Sequence, residues 1–463
     1  MDYDVIIIGA GMSGLAAGIR LAHYGKKVCI LESHFVAGGL NSYYQRGGHE
    51  FDVGLHAMTN YAPPGTKQLL PFVKILRQLR IKHEDFGLFE QNGSQINFDG
   101  AVLNFNNDFE YFKQQVHSVF PAQKDNFEKF VNYLKSYNEL DLNSKPQSAR
   151  EITAGFINDE LLIEMLFCPL SYYGSAVADD MEFGQFVVMF KSIFLEGFSR
   201  PYEGVRRIIF KLEERFRESG GILRLRTRVE KINISNNKVA SLILSDGSEI
   251  RAPKILSTIG HIETLKICSD FNEKELKATP GELAFTEVIL LLNERMENLN
   301  HDKTIIFYNN SRKFVYRKPE TLVNYESGVI CCPNNFKYSR PLSESILRIT
   351  NMANCGEWEK LSKPDYKKEK DSVLFNAINI VKSYVPAFNE NMIKFSDVFT
   401  PLTVRRFTGH INGAVYGSPD KLKNGVTHID NLFICGTDQG FLGIIGAILS
   451  GISIANLHFL MRE

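Results

Sequence analysis

The residues best placed to do chemistry are glycines near the N-terminus. Gly9, Gly11 and Gly14 form a G-x-G-x-x-G motif that follows an apolar run and opens a predicted helix. In this context the first glycine permits a tight turn, the second lets the backbone approach a diphosphate, and the third allows the helix to pack on the strand. The first helical turn, with Met12 and Ser13, offers free N–H groups to the phosphates.

A carboxylate stands at the end of the second predicted strand, residues 27–31. Glu32, followed by Ser33, can accept hydrogen bonds from adenosine ribose hydroxyls and would repel a 2′-phosphate. A generic glycine turn with an exposed glutamate is the plain alternative. The agreement of position, spacing and strand favours a dinucleotide site.

A second glycine pair follows too soon for an ordinary NAD domain, which would continue into a crossover helix. It indicates backbone that passes close to another part of the ligand, such as the ribityl chain and flavin of an extended FAD. A pair of simple turns is the alternative. The residues that we assign to the cofactor here are Gly38, Gly39, Leu40, Asn41, Gly54, Leu55 and His56.

The C-terminal segment is again a strand, a glycine turn and a helix, but it lacks a second G-x-G-x-x-G motif. From Gly436 onwards we predict that Asp438 bonds a ribityl hydroxyl or a phosphate-side group. The helix that begins near Gly443, Ile444 and Ile445 could direct its N-terminus at the flavin N1–C2=O edge, where reduced flavin carries negative charge.

The same helix, residues 443–460, is apolar enough to resemble a short membrane span. Because it lies inside a cofactor motif, we favour a buried helix.

Length predicts two interleaved domains, since 463 residues exceed one simple core. We predict an α/β fold in which a Rossmann-like FAD-binding domain, a parallel sheet plus β-meander, is interleaved with an α+β substrate domain. The FAD-binding domain takes residues 1–60, 200–268 and 425–463. The substrate domain takes residues 61–199 and 269–424, with a helical part and an antiparallel sheet.

Shorter patterns refine this division. Residues 60–200 read as mostly helical, and residues 284–352 contain β-like runs that suit a sheet flooring a substrate cavity. Hairpin and turn signals divide residues 229–258 into strands, the last of which, ending at Thr258, returns to the first sheet.

The composition argues against several classes of function. The chain carries 53 basic and 53 acidic residues, so we predict no nucleic-acid partner. Seven dispersed cysteines without C-x-x-C or zinc spacing predict reduced thiols, no metal site and a cytoplasmic protein. A strand begins almost at once, so no signal peptide is predicted. The sequence gives no oligomeric state.

The chain resembles the phytoene desaturase, carotenoid isomerase and retinol saturase group and, more distantly, the flavin amine oxidases. The strands that begin at Val229 are similar to the segment that contacts adenine in these flavoproteins. Leu40 stands where amine oxidases usually have arginine. The other residues that carry the resemblance are Gly9, Gly11, Gly14, Glu32, Gly38, Gly39, Phe51, Asp52, Gly54, Thr400, Pro401, Arg406, Phe407, Gly413, Tyr416, Gly417, Gly436, Asp438, Gly443 and Gly446.

The resemblance implies an FAD enzyme that acts on a long, apolar, unsaturated chain, with hydride exchanged at flavin N5. His56 is then a candidate proton donor or a structural histidine. Arg405 or Arg406 approaches the flavin or a substrate head group, and the other is a surface ion-pair partner. Such a substrate implies peripheral contact with a membrane or a carrier protein.

Two other hypotheses stay open. One is an amine oxidase-like flavoenzyme on a smaller polar substrate, and the other is a non-catalytic flavin-binding partner in a biosynthetic complex.

One further pattern has two interpretations. Five phenylalanines recur at helical spacing and predict either core packing or an aromatic wall that lines a tunnel or dips into a membrane surface. They are Phe183, Phe186, Phe190, Phe194 and Phe198.

Overall fold

The computed structural model describes residues 3–139, 141 and 145–461. Residues 1–2 and 462–463 of the predicted FAD-binding domain lie outside the described residues. The strands are β1 (Val5–Ile8), β2 (Val28–Leu31), β3 (Tyr43–Arg46), β4 (His49–Asp52), β5 (Leu88–Glu90), β6 (Ser94–Phe98), β7 (Ala101–Phe105), β8 (Ser199–Pro201), β9 (Ile222–Arg224), β10 (Val229–Ser235), β11 (Lys238–Leu244), β12 (Glu249–Ile250), β13 (Lys254–Ser257), β14 (Ala284–Leu292), β15 (Ile305–Asn309), β16 (Ser327–Cys331), β17 (Ser345–Ala353), β18 (Ile393–Phe399) and β19 (Leu432–Ile434).

The α-helices alternate with these strands, and α7 and α13 each continue into a short π-helical turn, Lys191–Leu195 and Asn456–Leu460 respectively. The helices are α1 (Met12–His23), α2 (Pro71–Gln78), α3 (Phe109–Val119), α4 (Lys124–Ser136), α5 (Ala149–Ala154), α6 (Glu160–Gly174), α7 (Phe183–Phe190), α8 (Val205–Glu218), α9 (His261–Lys266), α10 (Cys355–Glu359), α11 (Lys363–Tyr384), α12 (Pro401–Thr408) and α13 (Gly443–Ala455).

A parallel sheet of described residues has the strand order β19-β13-β1-β2-β9. Each of its neighbouring pairs is parallel, and the apolar run of β1 is buried on both faces. Helices α1, α8 and α13 pack with this sheet in one hydrophobic core. The antiparallel meander β10-β11-β12 packs in a second hydrophobic core, against other residues of the same sheet. The predicted return of the strand before Thr258 is confirmed, since β13 lies between β1 and β19.

A second sheet, also built from described residues, has the order β18-β14-β17-β16-β15-β6-β7. It is antiparallel except where β15 runs parallel to β6. The hairpin β3–β4 packs against this second sheet, where Arg46 donates to Asp397 of β18 at 2.5 Å. The domain boundaries themselves stay a prediction.

The region 60–200 is less helical than the sequence indicates. Helices α3 to α7 lie there, but β5, β6 and β7 precede them, and β6 and β7 extend the second sheet. The short, polar and alternating segment 94–105 gives only a weak strand signal, and its pairing with β15 decides its conformation.

The five phenylalanines at helical spacing belong to the core. Each is fully buried, so none of them lines an open tunnel or faces a membrane. The interpretation as core packing is therefore confirmed, and the aromatic wall is wrong.

The apolar C-terminal segment packs inside the protein. Gly443–Leu460 is the one segment of the described chain that is long and apolar enough to cross a membrane by length and composition, and half of it is buried. A Cβ added at Gly451 would lie 2.1 Å from the Ser13 carbonyl oxygen, so α13 crosses α1 in close contact.

Candidate active site

Two of the three glycines in the first glycine loop are packed against other protein atoms, and the third is not. A Cβ on Gly9 would lie 2.4 Å from Thr258 Oγ1, and one on Gly14 would lie 2.1 Å from the Gly9 carbonyl oxygen. A Cβ on Gly11 would meet no atom within 4 Å. The loop is therefore packed against protein at Gly9 and Gly14, and at Gly11 it borders open space.

That open space borders the start of α1. Gly11 is the N-cap of α1, and no described side chain caps this helix end. The first N–H groups of a helix have no partner within the helix, so this end attracts anions. Met12 and Ser13 are buried, which leaves their backbone N–H groups rather than their side chains for a ligand.

Glu32 is held beside the same loop. Its Oε2 accepts from the Ala10 N–H at 2.8 Å, and its Oε1 accepts from the His34 N–H at 2.8 Å and from Ser33 Oγ at 3.3 Å. A carboxylate has about four acceptor sites, so these bonds orient Glu32 and leave capacity for a ribose hydroxyl.

The second glycine pair lies directly against the first loop. The Gly38 N–H donates to the Ala10 carbonyl at 2.9 Å, and a Cβ on Gly39 would lie 3.5 Å from Gly11 Cα. The path then continues, because a Cβ on Gly54 would lie 2.6 Å from the carbonyl oxygen of Leu40. Asn41 Oδ1 is 3.3 Å from the same point. These contacts form a continuous backbone path from α1 towards His56.

The C-terminal helix presents a second helix start without a side-chain cap. Among the described residues no side chain caps α13 at Leu442, and a Cβ on Gly443 would meet no atom within 4 Å. Gly436 sits where an added Cβ would be 3.0 Å from Ser13 Oγ. An open glycine beside each helix start fits a dinucleotide that is stretched between the two ends of the chain.

A charged cluster lies at the far end of this path, on the second sheet. Glu287 of β14 stands opposite Thr350 of β17, and Arg348 is two residues away on the same face of β17. Arg348 Nε donates to Glu287 Oε1 at 2.6 Å, and the Thr350 hydroxyl donates to Glu287 Oε2. His56 Nε2 lies 3.0 Å from Thr350 Oγ1 and 3.3 Å from Glu287 Oε1.

Two buried arginines hold the loop that carries His56. The Leu55 carbonyl accepts from Arg200 at 2.6 Å and from Arg348 at 2.9 Å. Arg348 also donates to the Val53 carbonyl at 2.6 Å, while Arg200 pairs with Asp52. Because both arginines are charged and buried, these bonds are charge-assisted and fix the loop firmly.

Glu287 is held in its ionised form within this cluster. Burial by itself raises the pKa of Glu287, but the charges of Arg348 and His56 and the hydrogen bonds from His56 and Thr350 outweigh it. Together they lower the pKa of Glu287 to about 2. The His56 side chain is 18% exposed, so it is the member of the cluster that open space can reach.

The two arginines predicted from the sequence lie elsewhere. Arg405 forms an ion pair with Glu359 in which both side chains are about 40% exposed. Arg406 is exposed, with its guanidinium 5.5 Å from the Phe407 ring. Neither arginine has a recorded bond to His56 within the described part of the chain. Arg405 is therefore the surface ion-pair partner expected for one of the two arginines. An approach of Arg406 to the flavin or to a substrate head group stays a prediction.

Asp438 is held by backbone groups of two other segments. Its carboxylate is buried and accepts from the backbone N–H of His261 at 2.6 Å and of Ser418 at 2.8 Å. These bonds fix the turn before α13, and contact of Asp438 with the cofactor stays a prediction.

Three apolar residues assigned to the cofactor also have buried side chains. Val229, Ile444 and Ile445 pack in the cores beside the parallel sheet, so only their backbone remains for a ligand. The Thr258 hydroxyl donates to the Ile8 carbonyl at 3.0 Å. Contact of these residues with FAD stays a prediction.

The sequence interpretation missed the side chains that anchor His56. Glu287, Arg348 and Arg200 come from different strands, and no local motif joins them. A signal is nevertheless present, since Glu287 and Arg348 are single charges inside otherwise apolar strands. A charge in a strand that is buried along its whole length needs a partner in the fold.

Metal chemistry has no visible site. Within residues 3–139, 141 and 145–461, no group of three or more histidine, cysteine or acidic side chains is arranged to hold a metal ion. The seven cysteines are buried and unpaired by disulfides.

The fold and the site together define a flavin nucleotide-binding oxidoreductase. The glycine loop 9–14, Glu32 and the uncapped starts of α1 and α13 suit FAD. The loop that carries His56 lies between them and the second sheet. The chain belongs to the family of flavin containing amine oxidoreductases, whose model matches residues 12–457. FAD is its cofactor, and it is an enzyme.

Several curated relatives match over nearly the whole chain. The chain is 25% identical to prolycopene isomerase of Daucus carota, covering 98% of this chain and 80% of that protein. It is 21% identical to all-trans-retinol 13,14-reductase of Danio rerio, covering 98% and 86%. It is 24% identical to 1-hydroxycarotenoid 3,4-desaturase of Flavobacterium sp. (strain P99-3), covering 90% and 89%.

Solved structures share the fold. An oxidoreductase from Methanosarcina mazei superposes with a TM-score of 0.67 at 16% identity, covering 97% of this chain and 99% of that one. Cyclohexylamine oxidase from Brevibacterium oxydans superposes with a TM-score of 0.62 at 13% identity, covering 98% of both chains.

Proposed function

We propose that this enzyme acts on carbon–carbon bonds of a long, apolar, unsaturated substrate, a carotenoid, a retinoid or another polyene lipid. It would be a desaturase, a saturase or an isomerase. The observation that carries the proposal is the His56 loop, which continues the backbone path of the glycine loops and is anchored on Glu287 and Arg348 of the second sheet. The relatives named for prolycopene, retinol and hydroxycarotenoid chemistry support the same substrate class.

When bound, FAD supplies a centre that takes or gives a hydride. The chain's own residues bind and orient. The helix starts at Gly11 and Gly443 would hold the cofactor through backbone N–H groups, and Glu32 would hold the ribose. Arg200 and Arg348 keep the loop at residues 53–56 rigid, so a substrate bond is aligned against a fixed surface.

The proton chemistry is proposed to lie at the His56 imidazole. The Thr350 hydroxyl donates to Glu287, so its oxygen can accept from an Nε2–H group. Because Thr350 and Glu287 engage Nε2, Nδ1 is the ring nitrogen that would exchange a proton with a substrate carbon.

The test is an anaerobic incubation of the FAD-loaded enzyme with a panel of polyene lipids, followed by flavin absorbance and product mass. Flavin bleaching with gain or loss of two hydrogens indicates saturation or desaturation. An unchanged mass with an altered polyene spectrum indicates isomerisation. Peroxide production from amines, with no change in any polyene, would replace the proposal by an amine oxidase. No reaction at all, with stable co-purification of another protein, would favour a non-catalytic partner.

His56→Gln sharpens that test. Loss of a general acid lowers the rate by roughly 100-fold or more, with the pH dependence of the rate flattened. His49→Gln is the matched control. His49 lies on the β3–β4 hairpin and pairs with Glu344, outside the His56 cluster. Equal rates in the two variants would remove His56 from the chemistry.

We also propose a cytoplasmic enzyme that makes peripheral, reversible membrane contact, because a polyene lipid has to be collected from a membrane or a carrier. Exposed apolar side chains such as Leu69 and Phe210 support such contact. Liposome flotation of the FAD-loaded protein is the check, and absence of binding with and without FAD would count against it.

A further inference from the structure

A cavity of about 390 Å³ lies beside the loop that leads into α13. Residues 174–177 after α6, Glu182 and Gln185 at α7, and residues 439–442 form much of its wall. Apart from Leu442, the N-cap of α13, none of these residues has a part in the site described above. The volume is in the range of small-molecule pockets.

The cavity borders the C-terminal helix start. Phe441 and Leu442 line it, and they directly precede Gly443, the first residue of α13. Gly174, at the end of α6, lies on the cavity wall. The residue before it, Tyr173, packs its ring on Phe198 and Phe307. The cavity therefore lies between the loop that precedes α13 and the end of α6.

Residues that line the cavity carry polar atoms without partners. Gln439 is 2% exposed; its Nε2 donates to the Lys423 carbonyl at 2.7 Å, but its Oε1 is buried and has no hydrogen-bond partner among the described residues. Gln185 Nε2 and Glu182 Oε1 are likewise buried and without a hydrogen-bond partner there. Unpaired buried acceptors and an unpaired buried donor beside one cavity are unfavourable until a ligand supplies the missing bonds.

These two amides belong to one connected group. Glu182 Oε2 accepts from the Gln185 N–H at 3.0 Å, and Glu182 Oε1 lies 3.7 Å from Lys423 Nζ. Lys423 in turn carries the carbonyl that Gln439 binds. The donor and the acceptor therefore lie on linked segments, α7 and the C-terminal loop.

The charges around the cavity are already paired. Lys421 Nζ donates to the Tyr416 carbonyl at 2.6 Å and lies 3.9 Å from Asp438 Oδ1. Burial lowers the pKa of Lys421 to about 8, although Asp438 and Asp420 oppose that shift. With Glu182 beside Lys423, neither a carboxylate nor an ammonium group on a ligand finds an uncompensated opposite charge.

We propose that this cavity receives one end of the substrate chain and that this end carries a hydroxyl group, which accepts from Gln185 Nε2 and donates to Gln439 Oε1. The proposal rests on the proposed function, whose substrate class it narrows. A hydroxyl is both a donor and an acceptor, so it satisfies both amides. A methyl end leaves both of them unpaired, and a charged end adds an unpaired charge.

The test compares four probes of one chain length on the FAD-loaded enzyme: geranylgeraniol, its hydrocarbon analogue, geranylgeranoic acid and geranylgeranylamine. Binding is followed by the change in flavin absorbance. We expect the alcohol to bind about 10-fold more tightly than the other three, the effect of roughly one net hydrogen bond. In Gln439→Leu and in Gln185→Leu the preference should fall to about 3-fold or less, while affinity for the hydrocarbon stays the same.

Gln45→Leu is the matched control. Gln45 is exposed on the β3–β4 hairpin and bonds Glu50, so this variant should keep the full preference. FAD content and thermal melting check that each variant folds.

The outcomes separate this inference from the proposed function. Equal binding of the alcohol and the hydrocarbon, or a loss of all four probes alike in Gln439→Leu, overturns the hydroxyl site. If polyenes still react with the bound FAD in that case, the proposed function stands. If the alcohol preference is found but no polyene reacts, the hydroxyl site stands and the proposed function fails.

Discussion

The nucleotide-binding end of the molecule is built mainly from backbone, whereas the His56 cluster is built from side chains that are distant in sequence. At the first end, Gly11 and Gly443 leave open space beside two helix starts. At the second, Glu287 and Arg348 come from two strands of another sheet and meet a loop near the N-terminus. Backbone sites depend on local conformation, and side-chain clusters depend on the tertiary fold.

The two regions should therefore respond differently to substitution. A change at the glycine loop should affect cofactor binding while leaving the protein folded. A change in the buried cluster should affect stability even when no cofactor is present. The predictions below run from the largest expected effect to the smallest.

Arg348→Met should have the largest effect. It leaves Glu287 buried without its ion-pair partner and removes two bonds to the His56 loop, and breaking a buried pair costs about 3–5 kcal/mol. Urea unfolding of the apoprotein measures the loss. Arg317→Met, which breaks an exposed pair with Asp179, is the control. Adding Glu287→Leu to Arg348→Met should restore most of the stability, and a loss below about 1 kcal/mol in the single variant would mean that the pair is effectively solvated.

Acid should destabilise the cluster in a defined window. The pKa of Glu287 is about 2 in the folded protein against an ordinary value of 4.5, so its contribution is complete above pH 4.5 and is lost as the pH falls towards 2. At about 1.4 kcal/mol per pKa unit, the loss is on the order of 3 kcal/mol. The free energy of unfolding of the wild type should therefore approach that of Glu287→Gln across this window. A constant difference between the two proteins would contradict the assignment.

Gly11→Ala should weaken FAD binding without unfolding the protein. Its φ is −68° and a Cβ meets no protein atom, so alanine fits the fold, but the methyl group enters the space reserved for the diphosphate. Overpacking costs about 1–3 kcal/mol, or roughly 5- to 150-fold in the Kd of FAD. Gly93→Ala is the control, since a Cβ there makes only ordinary contact. Unchanged FAD affinity, measured by fluorescence titration, would move the diphosphate away from Gly11.

Arg405→Gln should have the smallest effect. The exposed pair with Glu359 contributes about 0.2–1 kcal/mol, and turnover should equal that of the wild type. Arg406→Gln is the comparison, because Arg406 stays the candidate for contact with the flavin or a substrate head group. A tenfold loss of turnover in either variant would place that arginine in the active site. The functional residues would then not be confined to the glycine loops and the buried His56 cluster.

Much of the nucleotide-binding end was predictable, because the glycine turns, the strand before them and the helix after them are local in sequence. The positions of α1 and β13 agree with the patterns. The strands β6 and β7 were missed, since their alternating segments are short and polar and gain their order from pairing with β15. The backbone partners of Asp438 and the choice of Arg405 as the surface ion-pair partner were not predictable for a related reason. A motif places a residue along the chain but does not give the direction of its side chain.

The sequence by itself determined that the chain has a glycine loop and a glutamate suited to FAD and a glycine-led helix at its other end. It could do so because turns, strands and helix starts depend on neighbouring residues. Only the tertiary structure decided that His56 meets Glu287, that Arg200 and Arg348 grip its loop, and that Asp438 faces inward. Those contacts join residues hundreds of positions apart, and a buried charge is stable only where the fold brings its partner.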